Sequence, residues 1–252
     1  VAASDDLTAT PSIRLAPEMC TKLATGRFKL KWQSHTAFQP LWTSAQDPTD
    51  KPLSIWTAVR LVPTGKFRGP KKGSNAVKQR VPVGHYACAF FGAPTGVSLL
   101  EVTDEKQSGF FSAHHKDSLR RFMEVFFPHP VRYRQVWKLA FATPLYVWEP
   151  IPPGPAYVAI GMVATTGDEA PPLEEVCCVP RPWAERLPEQ RAVRVWTGAG
   201  VNGQPASLWS SGPGGHDDGA VLRVSAGAGA QVAPEAFSMP MGKFYASLPL
   251  GM

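Results

Sequence analysis

The side chains able to do chemistry in this chain are scattered rather than gathered. His114 and His115 are adjacent, and neighbours on any regular element point to different faces, which fits a surface pair better than a metal site. His216-Asp217-Asp218 lies in a glycine-rich turn and could touch a cation. A hard cation, however, gathers more oxygen ligands than this spacing offers. Glu174-Glu175 stand close to Cys177-Cys178, a base beside a nucleophile, yet no histidine is near them in sequence. Buried strand thiols are the simpler account. There is no Gly-x-Ser-x-Gly elbow, no phosphate-cradling loop and no His-Glu-x-x-His zinc helix. The expectation is therefore of no enzyme, no cofactor, no metal and no small-molecule substrate.

Charge is more informative. Lysine and arginine number 26 against 20 acids, an excess of six, and six bases stand between Pro63 and Arg80 without an acid. They are Lys66, Arg68, Lys71, Lys72, Lys78 and Arg80, so the rest of the chain nets zero and this stretch is the candidate binding loop. Such a loop suits an anionic membrane surface, where each base is worth about 1 kcal/mol. An acidic protein subunit or a structured RNA would suit it too. Phe67 is its only aromatic, which argues against stacked single-stranded nucleic acid.

The elements that must carry these residues are announced by a repeated phrase. Lys51-Pro-Leu-Ser-Ile-Trp56, Thr143-Pro-Leu-Tyr-Val-Trp148 and Gln204-Pro-Ala-Ser-Leu-Trp209 are three versions of one pattern, each preceded by a further tryptophan. The pairs are Trp42/Trp56, Trp137/Trp148 and Trp196/Trp209. Proline opens a strand well because it has no N–H to give the ladder. Beyond it, alternation places Leu53 and Ile55 on one face and Trp56 on the other, and the same split recurs in both other copies. Repetition of this kind predicts similar β units, in which the tryptophans are core or wedge residues rather than a ligand-stacking surface.

The bulk numbers agree. In 252 residues there are 26 prolines and 22 glycines, which fits many short strands joined by rigid turns. No apolar run is long enough for a membrane-spanning helix. Cys20, Cys88, Cys177 and Cys178 show no metal-binding spacing, and neither Asn75 nor Asn202 opens a glycosylation triplet, which favours a reducing compartment. The chain begins at Val1, as expected of a fragment or of a cleaved targeting peptide.

The predicted fold class is all-β: three pseudo-repeats of small antiparallel sheets, β-prism-like or a sandwich, with one short helical insertion. Residues 1–27 read as an extended or disordered arm. Repeat 1 spans 28–130 and carries the basic loop 63–80 and the helical insertion 105–127; repeat 2 spans 131–191; a degenerate repeat 3 spans 192–252. Val81–Gly92 is matched to Ile151–Gly161, each a Pro-Gly turn feeding an apolar strand that ends at glycine. Leu119, Phe122, Met123 and Phe126 follow the i, i+3, i+4, i+7 rule of a helix packed on a sheet, capped by Ser112 or Asp117. The Pro-x-Pro segments at 128–130 and 180–182 read as linkers.

In repeat 2 the pattern becomes specific. Tyr133-Arg-Gln-Val-Trp137, then Tyr146-Val-Trp148-Glu-Pro-Ile-Pro-Pro-Gly154, then Tyr157-Val-Ala-Ile-Gly161 and Pro171-Pro172 resemble the repeats of the vacuolar protein sorting-associated protein sixty-two family. They also resemble those of plant-type members of the thirteen family, the bridge-like lipid-transfer proteins. The matched positions are Trp42, Trp56, Trp137, Trp148, Pro153, Gly154 and Gly161, and their family reading is structural. The resemblance implies an all-β repeat module that helps recruit a larger protein to organelle membranes, on the cytosolic side. The interior of an organelle is the alternative if a targeting peptide has been removed. In the thirteen family an asparagine in each repeat helps bind Pro-x-Pro peptides; Asn75 and Asn202 do not match it, so no binding residue is carried over. The expected function is a non-catalytic docking or scaffold module with other protein subunits as partners. The alternatives are a structural subunit of a large protein or ribonucleoprotein complex, and a lectin-like glycan-binding β-prism.

Overall fold

A computed structural model describes residues 28–35, 37–45, 51–59, 77–104, 113–140, 142–200, 203–211 and 221–240. The first strands in chain order are β1 (Phe28–Ser34), β2 (Phe38–Thr43), β3 (Ser54–Ala58), β4 (Val77–Val81), β5 (Tyr86–Cys88) and β6 (Ser98–Asp104). Helix α1 (Ala113–Phe126) follows, then β7 (Arg132–Leu139), β8 (Leu145–Ile151), β9 (Tyr157–Val158), β10 (Val163–Thr165) and β11 (Val179–Pro180). The chain continues through β12 (Glu185–Arg186), β13 (Ala192–Ala199), β14 (Pro205–Ser211), β15 (Val221–Ala226) and β16 (Phe237–Ser238).

The three tryptophan pairs build three equivalent antiparallel meanders: β2-β3-β5, β7-β8-β10 and β13-β14-β15. In each hairpin the register shifts just before the first tryptophan, between Pro40 and Trp42, Gln135 and Trp137, and Arg194 and Trp196. This bulge turns the indole so that Trp42 pairs with Ile55, Trp137 with Val147 and Trp196 with Leu208. Each first tryptophan thus shares a core with the aliphatic face of its phrase. Leu53, Ile55, Leu145, Val147, Ala206 and Leu208 are buried in one cluster with Trp42, Trp137 and Trp196. Full burial of each larger aliphatic side chain is worth roughly 1.5–3 kcal/mol.

The third strands meet at a ring of backbone hydrogen bonds. The amide of His85 donates to the carbonyl of Met162 (3.0 Å), that of Met162 to Leu222 (2.9 Å), and that of Leu222 back to His85 (2.7 Å). These residues stand one place before Tyr86, Val163 and Arg223, which pair with the three second tryptophans. The ring therefore relates the units by an approximate threefold rotation. One place earlier lie Gly84, Gly161 and Val221, and there is room for one side chain among the three. A Cβ on Gly84, which also holds φ at +150°, would stand 2.8 Å from the Gly161 Cα and 2.8 Å from the Val221 Cγ1. Beside the ring, Val221 pairs with Tyr86, and this joins the first and third meanders into one six-stranded sheet.

Three expectations change here. Contrary to the bounds 28–130 of repeat 1, the strand at Phe28–Ser34 does not join the first meander; it pairs with β6, which pairs with β4, in a separate three-stranded sheet. Alternating burial alone cannot say which edge a strand joins. The basic stretch is not all loop, since Lys78 and Arg80 lie on β4. The matching of Val81–Gly92 to Ile151–Gly161 is out of phase: Gly84, not Gly92, is the counterpart of Gly161, and the repeat strand of the second unit follows Gly161 rather than preceding it. Ala89–Gly92 form a bend that leaves Phe90 and Phe91 exposed.

The helix forms within its predicted range. Leu119, Phe122, Met123 and Phe126 are buried against β1 and β6, with Phe122 stacked on Phe28 at 4.3 Å and Phe126 on Trp183 at 4.9 Å. Asp117 lies inside α1 rather than at its cap, and Ser112 is outside the described residues. This second layer shares its buried cluster with Val83, Tyr86 and Val221.

Candidate functional site

Among the described residues, His85 and His129 are hydrogen-bonded within the fold and Cys88, Cys177 and Cys178 are buried. His85 is buried, with Nδ1 accepting from the Ala164 amide (3.1 Å) and Nε2 donating to Glu175 (3.0 Å). Cys177 Sγ lies 3.9 Å from His129 Nδ1, but that nitrogen donates to the Val176 carbonyl (3.0 Å) and so cannot take a thiol proton. Burial pushes the Cys88 thiol up to about 11 and the Cys178 thiol up to about 12, away from the thiolate a nucleophile needs. Among the described residues no three His, Cys, Asp or Glu side chains gather as a metal site. The backbone of His114 and His115 lies in α1, while His216, Asp217 and Asp218 are outside the described residues.

The repeat-marking residues are all placed. Trp56, Trp148 and Trp209 sit on the faces opposite the shared core, and each indole N–H has a partner at 2.8 Å. Trp148 donates to Thr165 and Trp209 to Ser225, which are equivalent positions; unit one has Cys88 there, and Trp56 turns to Ser54 instead. Pro153 and Gly154 form the turn into β9, closed by the Tyr157 amide on the Gly154 carbonyl (3.1 Å). Of the basic stretch, Lys78 pairs with Glu101 at 3.1 Å, and Arg80 reaches the Val59 carbonyl at 3.3 Å. Lys66, Arg68, Lys71 and Lys72 lie outside the described residues.

The structure also shows a site that was not anticipated. A cleft of about 590 Å³ opens between the second and third meanders, walled by β7 on one side and β15 on the other. At its floor is Arg223, only 8% exposed. Its Nη1 donates to the carbonyls of Ile160 (2.8 Å) and Ala159 (3.4 Å), which holds the guanidinium plane. Its Nε is buried without a hydrogen-bond partner, and no carboxylate lies within ion-pair distance among the described residues. Burial lowers the Arg223 pKa, while Glu149 and Glu235 act to raise it. At the rim, Arg134 grips Glu149 through Nε and Nη2. Arg181 donates to the Pro155 carbonyl (2.8 Å) and lies over the Phe237 ring. The arrangement is a polar, aromatic-edged trough with a buried guanidinium beneath it that makes no ion pair among the described residues.

Comparison with known proteins places the architecture. The family model described as vacuolar protein sorting-associated protein 62 matches residues 92–231, more than half of the chain. The chain belongs to that family. The match runs from the bend after β5 through both later meanders, so it includes Arg223 and the cleft lining other than Pro234, Glu235 and Phe237. No curated protein matches. Among solved structures, the crystal structure of GNIP1Aa from Chromobacterium piscinae is similar, with a TM-score of 0.52 and 15% identity. That likeness covers 88% of this chain and 41% of the GNIP1Aa chain, and at this identity it speaks for the fold alone. No helix among the described residues is long and apolar enough to cross a membrane.

The family repeat did not point to Arg223, because its signatures are aromatic and Pro/Gly positions. A signal was nevertheless present. Val221-Leu-Arg-Val224 is an apolar strand interrupted by one charge, at the place held by Tyr86 and Val163 in the other units. A charge in a buried strand is rare enough to invite a reason.

Proposed function

We propose that the chain is a non-catalytic docking and scaffold module of a membrane-contact or lipid-transfer assembly, working on the cytosolic face of an organelle membrane. The observation that carries this reading is the division of labour within the repeats. The tryptophans and glycines that define the family pattern are engaged in packing and backbone contacts, while the charge excess sits outside them, in the stretch 63–80. A three-part frame that holds long connections suits recognition by surface complementarity. Lys78 and Arg80 have partners on the frame, which leaves Lys66, Arg68, Lys71 and Lys72 as the bases to meet an acidic surface. Long-range attraction brings the module to an anionic membrane or an acidic subunit, and the attraction weakens with salt.

The test is replacement of Lys66, Arg68, Lys71 and Lys72 together by glutamate, followed by co-sedimentation with vesicles containing phosphatidylserine. The expected outcome is loss of binding with an unaltered thermal melt. Unchanged binding removes the mechanism.

A further inference from the structure

We propose that the cleft over Arg223 captures an extended, acidic segment of a partner protein and seats one carboxylate of that segment on the guanidinium. A buried guanidinium with an unpartnered Nε and no ion pair among the described residues is unfavourable, and a carboxylate arriving from outside would satisfy it. The carboxylates already present favour a single negative charge. Arg134 pairs with Glu149 and Arg186 with Glu235, which leaves Arg181 and Arg223 without an ion pair among the described residues. Glu149 and Glu235 at the rim repel a dianionic phosphate more strongly than a single carboxylate.

The walls favour an extended chain. β7 is the edge of its sheet, whereas β15 is a covered wall: Leu222 bonds to His85 and Met162, and the Val224 amide to Met162 Sδ at 3.3 Å. An edge strand such as β7 can pair with an extended peptide, and alternate side chains then enter pockets beside the edge. Pro150, Tyr157 and Phe237 border the trough and offer apolar contact to the residues flanking the carboxylate.

The inference rests on the docking reading, but it uses a different face from the basic stretch, so the two can fail separately. The probe is a fluorescein-labelled pool of octapeptides, randomised except for a central glutamate, against the same pool with central glutamine or phosphoserine. Fluorescence polarisation is expected to show saturable binding of the glutamate pool and at least tenfold weaker binding of the glutamine pool. Arg223→Met is expected to abolish the difference. Gln135→Glu, on the exposed side of β7 in the cleft, keeps the fold and weakens the glutamate pool by several-fold, which covers the case of an unfolded arginine variant. Equal binding of both pools, preference for phosphoserine, no binding of any pool at millimolar concentration, or full binding by Arg223→Met would each overturn the proposal. The glutamate replacements at 66, 68, 71 and 72 should leave peptide binding intact even where vesicle binding is lost.

Discussion

At the scale of single residues, the repeated tryptophans are equivalent in place but not in satisfaction. Trp42 donates its indole N–H to the Thr143 carbonyl at 2.8 Å, whereas the Trp137 N–H is buried without a partner among the described residues. An unpaired buried donor costs about 1–3 kcal/mol, so removing it recovers part of what the lost ring area removes. Trp137→Phe is therefore expected to destabilise by at least ~1 kcal/mol less than Trp42→Phe, read from urea denaturation of the two variants. The thiols give a second expectation. Cys88 and Cys178 are held protonated by burial, up to about 11 and about 12, while the unfolded chain ionises them near the ordinary value of 9.0. Below pH 9 both states keep the proton and the contribution is complete. As pH rises from 9 through 11 the unfolded state alone gains from ionisation, and stability falls. Denaturation midpoints at pH 8 and 10.5 should show the drop, and Cys88→Ala should reduce it.

At the scale of elements, the close approach beside the ring is the sensitive point. The place shared by Gly84, Gly161 and Val221 holds a single side chain, so a second one must displace its neighbours. Gly161→Ala is expected to cost roughly 3 kcal/mol, the upper range for overpacking. Val221→Ala in the same chain should recover part of that loss, because Val221 Cγ1 is the nearest obstacle, but not all, because the Val83 carbonyl is another. A double-mutant cycle by thermal or urea unfolding measures the coupling. The bulges show a related economy of form. One extra residue before each first tryptophan turns three indoles into one core, and nothing in the local sequence other than the repeated spacing announces it.

At the scale of the molecule, the three backbone bonds among His85, Met162 and Leu222 tie residues from all three units. None of them can open without parting two meanders. Their amides are expected to exchange with solvent slowly, at one common free energy close to that of global unfolding, while amides at the exposed rim exchange faster; native-state hydrogen exchange decides this. How much of this was legible beforehand follows from what each feature depends on. The three phrases, their aliphatic and aromatic faces and the stripe of α1 rest on alternation and periodicity, which are local, so the β class, the repeated units and the helix could be read from residue order alone. The pairing of β1 with β6, the phase of Gly84 against Gly161, and the lone arginine under the cleft depend on which distant strands meet. Those contacts arise from long-range packing, where one-residue shifts exchange faces and edges, so they emerge only in the folded chain.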